Sequence, residues 1–157
     1  MSRIALRDGT AADADLLTAL CFRAKAHWGY SQDLLDGWAD ELTVSPLQFK
    51  KFMVRCACDE TGCIVGFAML SLAPPTAELE HLHVDPAVHK TGVGRSLLSD
   101  MMEYARQSGC TRLELDSDPH ATGFYQKLGG VRIGNTPSAI IAGRSLPRLQ
   151  IAIPSAS

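Results

Sequence analysis

Apolar and polar residues alternate from Thr76 to Val84. Period two assigns Leu79, His81 and His83 to one face of a strand, and Glu78, Glu80, Leu82 and Val84 to the other. Asp85-Pro86 breaks the pattern, a short polar segment follows, and Gly92-Val93-Gly94 introduces a new period. From there Val93, Leu97, Leu98, Met101 and Ala105 recur at helical spacing, and Gly109 is a stop signal. The chain is organised around this strand, loop and helix.

The same reading places the other elements. Ile4 and Leu6 alternate with Arg3, Ala5 and Arg7 in a short first strand, broken at Asp8-Gly9-Thr10. Thr10 or Asp13 caps a helix carried by Leu16, Leu17, Leu20, Cys21 and Ala24 to about His27. Ser31 caps a second helix on Leu34, Leu35, Trp38 and Leu42, and Ser45-Pro46 starts a short one through about Lys51. Met53–Cys58 and Ile64–Leu72 flank the turn Asp59–Gly62 as a hairpin, with Gly66 marking a bulge or a close backbone contact. Pro74-Pro75 is the next connection. Thr111–Asp116 is a strand, Asp118-Pro119 opens a helix from His120 to Leu128 that ends at Gly129-Gly130, and Val131–Ile133 and Leu149–Ile153 are the last strands. Ser138 and Arg144 are polar loop residues near Pro137, Gly143 and Pro147 that no spacing singles out. Strands interleaved with helices predict an α/β or α+β mixed sheet with helices on both faces.

Composition adds bounds. A chain of 157 residues is long enough for one cored domain, and a single domain over 1–157 is the expectation. At 46% hydrophobic and 20% charged it reads as an ordinary globular protein, and a net charge of −2 gives no footprint for nucleic acid. No apolar run approaches a membrane span and the N-terminus lacks a signal-peptide core, so the default expectation is cytosolic, with neither membrane nor nucleic acid as partner. Five cysteines, Cys21, Cys56, Cys58, Cys63 and Cys110, follow no secreted framework. Cys56, Cys58 and Cys63 are read as small apolar side chains rather than metal ligands. His81-x-His83 offers two imidazoles on one strand face, but with no third ligand nearby in sequence no metal is expected.

The chemistry concentrates around Gly92. The first amides of a helix have no partner within it, and the macrodipole adds positive charge there. Glycines allow close approach, so the loop is an anion site of the kind that holds a phosphate or pyrophosphate. It ends in no Gly-Lys-Ser/Thr and lacks a third glycine, so it is neither a P-loop nor a dinucleotide fingerprint.

Glu80, Leu82, Val84-Asp85-Pro86, a five-residue gap, Gly92-Val93-Gly94-Arg95 with Leu97-Leu98, and later Phe124-Tyr125 with Lys127-Leu128-Gly129-Gly130 together resemble the GNAT superfamily of acyl-CoA-dependent N-acyltransferases. The resemblance is specific from about Cys63 to Gly130. It implies that His89, Lys90, Thr91, Gly92, Val93, Gly94 and Arg95 cradle the pyrophosphate of coenzyme A, with His89 standing where the family usually has Gln or Arg. It also implies that the pantetheine arm pairs with the backbone of Leu82, His83 and Val84 as an added strand. Acetyl-CoA is then the co-substrate, and a primary amine of a small molecule or peptide is the acceptor.

An alkyl amine with a pKa of about 10.4 is protonated near neutrality, so direct attack needs a base. Glu78, fourteen residues before Gly92, and Glu80, closer to the expected acyl group, are the candidates, with Glu78 slightly ahead; a solvated strand face is the plainer reading of either. A backbone N–H near Leu82–Val84 would face the oxyanion. The family places Tyr125, beside Phe124, at the coenzyme A sulfur as proton donor to the departing thiolate. Trp28 and Tyr30, in the segment Lys25–Tyr30, and Trp38 read as core or hinge packing, or as a wall of the acceptor pocket that the family builds from its variable first helices. Asp33, Asp36, Asp40 and Glu41 would suit a cationic amine or form a solvated helix face. A homodimer is an expectation from the resemblance. A catalytically inactive acyl-CoA-binding sensor is the main alternative, and a general nucleotide-phosphate binder the lesser one.

Overall fold

A computed structural model describes residues 3–138 and 141–155. Seven strands form one mixed sheet: β1 (Ala5–Asp8), β2 (Met53–Cys58), β3 (Ile64–Ala73), β4 (Thr76–Val84), β5 (Arg112–Asp116), β6 (Val131–Pro137) and β7 (Ser145–Ala152), in the order β1-β2-β3-β4-β5-β7-β6. The helices are α1 (Ala14–His27), α2 (Gln32–Gly37), α3 (Ala39–Leu42), α4 (Gln48–Lys51), α5 (Val93–Gln107) and α6 (Thr122–Lys127). The chain divides into two compact units, residues 1–71 with 80–101 and residues 72–79 with 102–157, so the division falls inside β4 and inside α5. Among the described residues no helix is long and apolar enough to cross a membrane.

In the first unit β1 pairs antiparallel with β2, and β2 with β3. Cys56 and Cys58 are buried, whereas Cys63 lies exposed beside the turn, where Asp59 Oδ1 accepts from the N–H groups of Thr61 and Cys63. The register slips between Ala57 and Cys58, opposite Gly66 and Ile64, so the expected bulge is real. Gly66 is also a close contact: a Cβ there would lie 3.1 Å from side-chain carbons of Val93 and Leu97 and 3.2 Å from the His83 carbonyl. The missing side chain lets the first turns of α5 lie against β3. Leu17, Leu20, Cys21, Phe67, Met69, Leu70, Leu97 and Leu98 are fully buried in this unit.

Two helix expectations in this unit need correction. The second helix divides at Trp38, whose backbone (φ −93°, ψ 6°) leaves helical geometry after Gly37. The helix expected from Pro46 begins at Gln48, because Ser45–Leu47 form a tight turn in which the N–H groups of Gln48, Phe49 and Lys50 bond three residues back.

In the second unit β4 pairs parallel with β5 over Thr76–Glu78 and Arg112–Glu114, while β5–β7 and β7–β6 are antiparallel. The Thr111 N–H donates to the Pro75 carbonyl at 2.8 Å, fixing the entry to β5. Leu113, Leu115, Leu149 and Ile151 are buried, as period two requires. The last helix also starts later than its sequence suggests. Asp118 closes a turn through the His120 N–H instead of capping a helix, and α6 begins at Thr122. Ser138 and Arg144 join main chain to main chain across the β6–β7 connection, the Ser138 N–H donating to the Arg144 carbonyl at 2.8 Å.

Candidate functional site

The anion loop is built in the first unit from backbone conformation. Asp85 follows β4, and its Oδ1 accepts from the Ala87 N–H at 3.0 Å. The Asp85 N–H donates to the Val65 carbonyl at 2.8 Å, and Arg23 of α1 reaches Asp85 Oδ2 at 3.1 Å. One residue therefore ties the start of the loop to β3 and to α1. His89 Nε2 lies 3.2 Å from the Val84 carbonyl, and Thr91 Oγ1 donates to the Val88 carbonyl at 2.5 Å. Lys90 (φ 64°) and Gly92 (φ 93°) both take left-handed conformations. That is unstrained for glycine and costs lysine about 1 kcal/mol. The Gly92 carbonyl accepts the first helical bond, from the Ser96 N–H at 3.0 Å, so the amides of Val93, Gly94 and Arg95 have no acceptor inside α5. Thr91 and Gly92 are exposed, as are the cations Lys90 and Arg95. Unsatisfied amides, the helix dipole and flanking positive charge fit a pyrophosphate.

His89 also belongs to an aromatic group at this loop. Its ring centroid lies 4.9 Å from that of His27 and 5.7 Å from that of Trp28. Tyr30 and Trp38 form a separate edge-to-face pair at 4.8 Å, and the Lys25 ammonium lies 5.5 and 5.1 Å from their ring centroids. The structure thus divides the three aromatics read from the sequence: Trp28 stands with the loop, Tyr30 and Trp38 with Lys25. Asp33, Asp36, Asp40 and Glu41 lie on exposed helix positions.

The two glutamates of β4 have unlike surroundings. Glu80 is exposed, and Ser71 Oγ donates to its Oε2 at 2.9 Å. Glu78, in the second unit, is clamped by Arg148 of β7, with Nη1 to Oε2 at 3.0 Å and Nη2 to Oε1 at 2.5 Å. Arg148 also reaches Asp116 at 3.1 Å and Glu114 at 3.2 Å. The Glu78 hydrogen bonds are the main cause of a raised Arg148 pKa, and Glu114 is held below the usual carboxylate range by Gln150 and then Arg148. Both oxygens of Glu78 are thus committed to a guanidinium, whereas Glu80 is exposed. Sequence reasoning missed Arg148. Its partners lie up to 70 residues away, and only its position on a strand beside β5 carries any signal.

Tyr125 is 6% exposed on α6, with the Phe124 ring 5.1 Å away. Burial, and then the charge of Asp118, push its phenol well above the usual tyrosine range, so it stays protonated. Its carbonyl accepts from the Gly130 N–H at 2.8 Å, and a Cβ on Gly130 would fall 2.8 Å from that oxygen. Gly130 is therefore needed for the turn that holds Tyr125.

Also on β4, His81 and His83 turn their rings toward Phe67 and each other. Here the sequence reading is corrected: a third metal-ligating side chain is present. Cys21 of α1, sixty residues earlier, brings its donor atom within 4.8 Å of theirs.

The profile of the Acetyltransferase (GNAT) family matches residues 17–130. An aminoglycoside N(6′)-acetyltransferase type 1 from Stenotrophomonas maltophilia is 33% identical over 121 residues, 71% of this chain and 74% of that protein. A glucosamine 6-phosphate N-acetyltransferase from Trypanosoma brucei brucei is 37% identical over 76 residues, 44% of this chain, and the match spans about half (52%) of that relative's length. Among solved structures, a GCN5-related N-acetyltransferase from Rhodopseudomonas palustris superposes with a TM-score of 0.80 at 24% identity, covering 97% of each chain. The PaiA N-acetyltransferase of Thermoplasma acidophilum, solved with coenzyme A, gives 0.79 at 17% identity, covering 96% of this chain and 99% of that one. The loop geometry, the strand order and these matches agree: the chain belongs to the GNAT acetyltransferase family.

Proposed function

We propose that this protein transfers an acetyl group from acetyl-CoA to a primary amine by direct attack within a ternary complex. The observation that carries the reading is the loop before α5, where two left-handed residues and a helix N-terminus present free amides beside Lys90 and Arg95. His89, Lys90, Thr91, Gly92, Val93, Gly94 and Arg95 would hold the pyrophosphate of the co-substrate. The backbone of Leu82, His83 and Val84 would receive its pantetheine amides. Acetyl-CoA supplies the activated acyl thioester.

The acceptor amine must lose a proton to attack. Glu80, exposed and oriented by Ser71, is the base, acting directly or through one water. Glu78 keeps Arg148 in place and acts on structure instead. Tyr125 is a hydrogen-bond donor to the departing sulfur. A phenol whose pKa is raised this way by burial is a weak acid toward a thiol of pKa about 8.5, so it stabilises developing charge rather than completing proton transfer. Relatives named for glucosamine 6-phosphate and for an aminoglycoside act on amines of sugars, which makes amino sugars the first acceptors to screen beside peptide amines.

The test is calorimetric titration with acetyl-CoA, with ATP and NAD as controls, followed by a free-thiol screen of an amine library. Glu80→Gln is expected to lower kcat about 100-fold with acetyl-CoA affinity unchanged, and Glu78→Gln to lower thermal stability with a smaller loss of kcat. The reverse order would return the role of base to Glu78. Binding of acetyl-CoA without turnover of any amine would favour a sensor.

A further inference from the structure

We propose that Cys21 of α1 and His81 and His83 of β4 form a binding site for one zinc-class divalent cation. The donor atoms of the three side chains lie within 4.8 Å of one another. Cys21 is fully buried on α1, and the histidines are i and i+2 on one strand, so their rings project the same way. His81 Nδ1 and His83 Nε2 are 3.3 Å apart. Zinc–nitrogen bonds of 2.0–2.1 Å at a tetrahedral angle require a nitrogen–nitrogen edge of about 3.3 Å. The imidazole pair therefore already has the spacing of two zinc ligands. The thiol needs only a modest approach to join them.

The chemistry of the set is selective. One thiolate and two imidazoles suit a borderline-soft ion and not magnesium or calcium, which prefer oxygen ligands. Cys21 is buried and both histidines are partly buried, so the set is largely shielded from bulk water. A neutral imidazole is the ligating form, and metal binding would release the thiol proton to solvent as the sulfur–metal bond forms. Lys25, one helical turn after Cys21, brings a positive charge near the set, which repels an incoming cation but also favours the thiolate and the neutral imidazole that would bind it. Its ammonium lies within 5.5 Å of the Tyr30 and Trp38 ring centroids, which offsets part of that repulsion. Three protein ligands leave a fourth position for water or an incoming donor, the arrangement of an open site rather than a closed structural one.

The competing account of the same contact is a hydrogen bond between the two imidazoles. Co2+ distinguishes the accounts. Metal-free protein, treated with chelator and kept reduced, is titrated with Co2+ and followed by absorption. The proposal expects one equivalent to give intense visible bands of a four-coordinate ion with a sulfur-to-cobalt charge-transfer band in the near ultraviolet. Zn2+ should displace it. Cys21→Ser should abolish the charge-transfer band and weaken Zn2+ binding at least about 100-fold, while Cys63→Ser, at the exposed cysteine, should leave both unchanged. Should Cys21→Ser fail to fold, His83→Gln supplies the second variant, with loss of intensity in the visible bands expected. A weak six-coordinate spectrum, or a charge-transfer band that survives Cys21→Ser and disappears in Cys63→Ser, would overturn the site.

Discussion

The loop before α5 and the carboxylate cluster around Arg148 are both polar centres, but they are made differently. The loop is a backbone object. Its donors are main-chain amides, its special torsions are those of Lys90 and Gly92, and its components lie within eleven consecutive residues, Asp85 to Arg95. The Arg148 cluster is a side-chain object, in which one guanidinium on β7 answers Glu78 of β4 and Glu114 and Asp116 of β5. Substitutions near the loop matter mainly where they change torsion or fill space. In the cluster they matter through charge.

The largest expected effect attacks the loop. Gly92→Glu forces a side chain into a left-handed position and adds negative charge where an anion is to bind. Acetyl-CoA affinity should fall more than about 100-fold in calorimetry, while the melting temperature changes by only a few degrees. A large loss of stability with binding retained would break the comparison. Next, Arg148→Met leaves three carboxylates facing one another, and chemical denaturation should show a loss of about 2–3 kcal/mol. Adding Glu78→Gln should recover part of that loss, because the cluster then holds one charge fewer. Full additivity would mean that the two side chains are not coupled.

Gly66→Ala sharpens the contrast by perturbing the loop through packing alone. The new methyl meets Val93, Leu97 and the His83 carbonyl at 3.1–3.2 Å, so α5 must yield by a few tenths of an ångström. A loss of about 1 kcal/mol in stability and a several-fold weaker acetyl-CoA affinity are expected. The smallest effect comes from an ion pair outside both regions. Asp13 is held down to about 2 by its hydrogen bonds with Arg7, supported by the Thr10 N–H, against an ordinary value near 3.8. The folded form binds this proton less readily than the unfolded chain. Its contribution is therefore full above about pH 4 and is lost as pH falls toward 2. With Arg7 half-exposed, a urea series across that window should show about 1 kcal/mol, absent in Asp13→Asn.

Backbone objects were legible in the sequence. The strand Thr76–Val84, the Ser31 cap, the bulge at Gly66 and the stop at Gly109 each follow from a local residue choice, and all are present. The errors were local competitions that the pattern does not weigh. Ser45-Pro46 and Asp118-Pro119 each look like a helix start, yet both segments first close a tight turn, and the helix begins afterwards. Side-chain assemblies were not legible, because their members are brought together only by strand order and helix packing. Nothing in the spacing of Glu78 announces Arg148, and nothing in His81-x-His83 announces Cys21 sixty residues earlier. The three aromatics grouped on chain proximity likewise fall into two separate clusters.

Asp85 has a consequence for the rate of capture. It is fastened on three sides, through its N–H to Val65, through one carboxylate oxygen to Ala87 and through the other to Arg23. A loop tethered in this way has little conformational freedom left to lose when an anion arrives. Association should then be governed by diffusive encounter and charge steering, falling with ionic strength, and not by a slow loop rearrangement. Asp85→Ala would release all but the main-chain tether and introduce a lag between encounter and tight binding, visible as a second, concentration-independent phase in stopped-flow mixing.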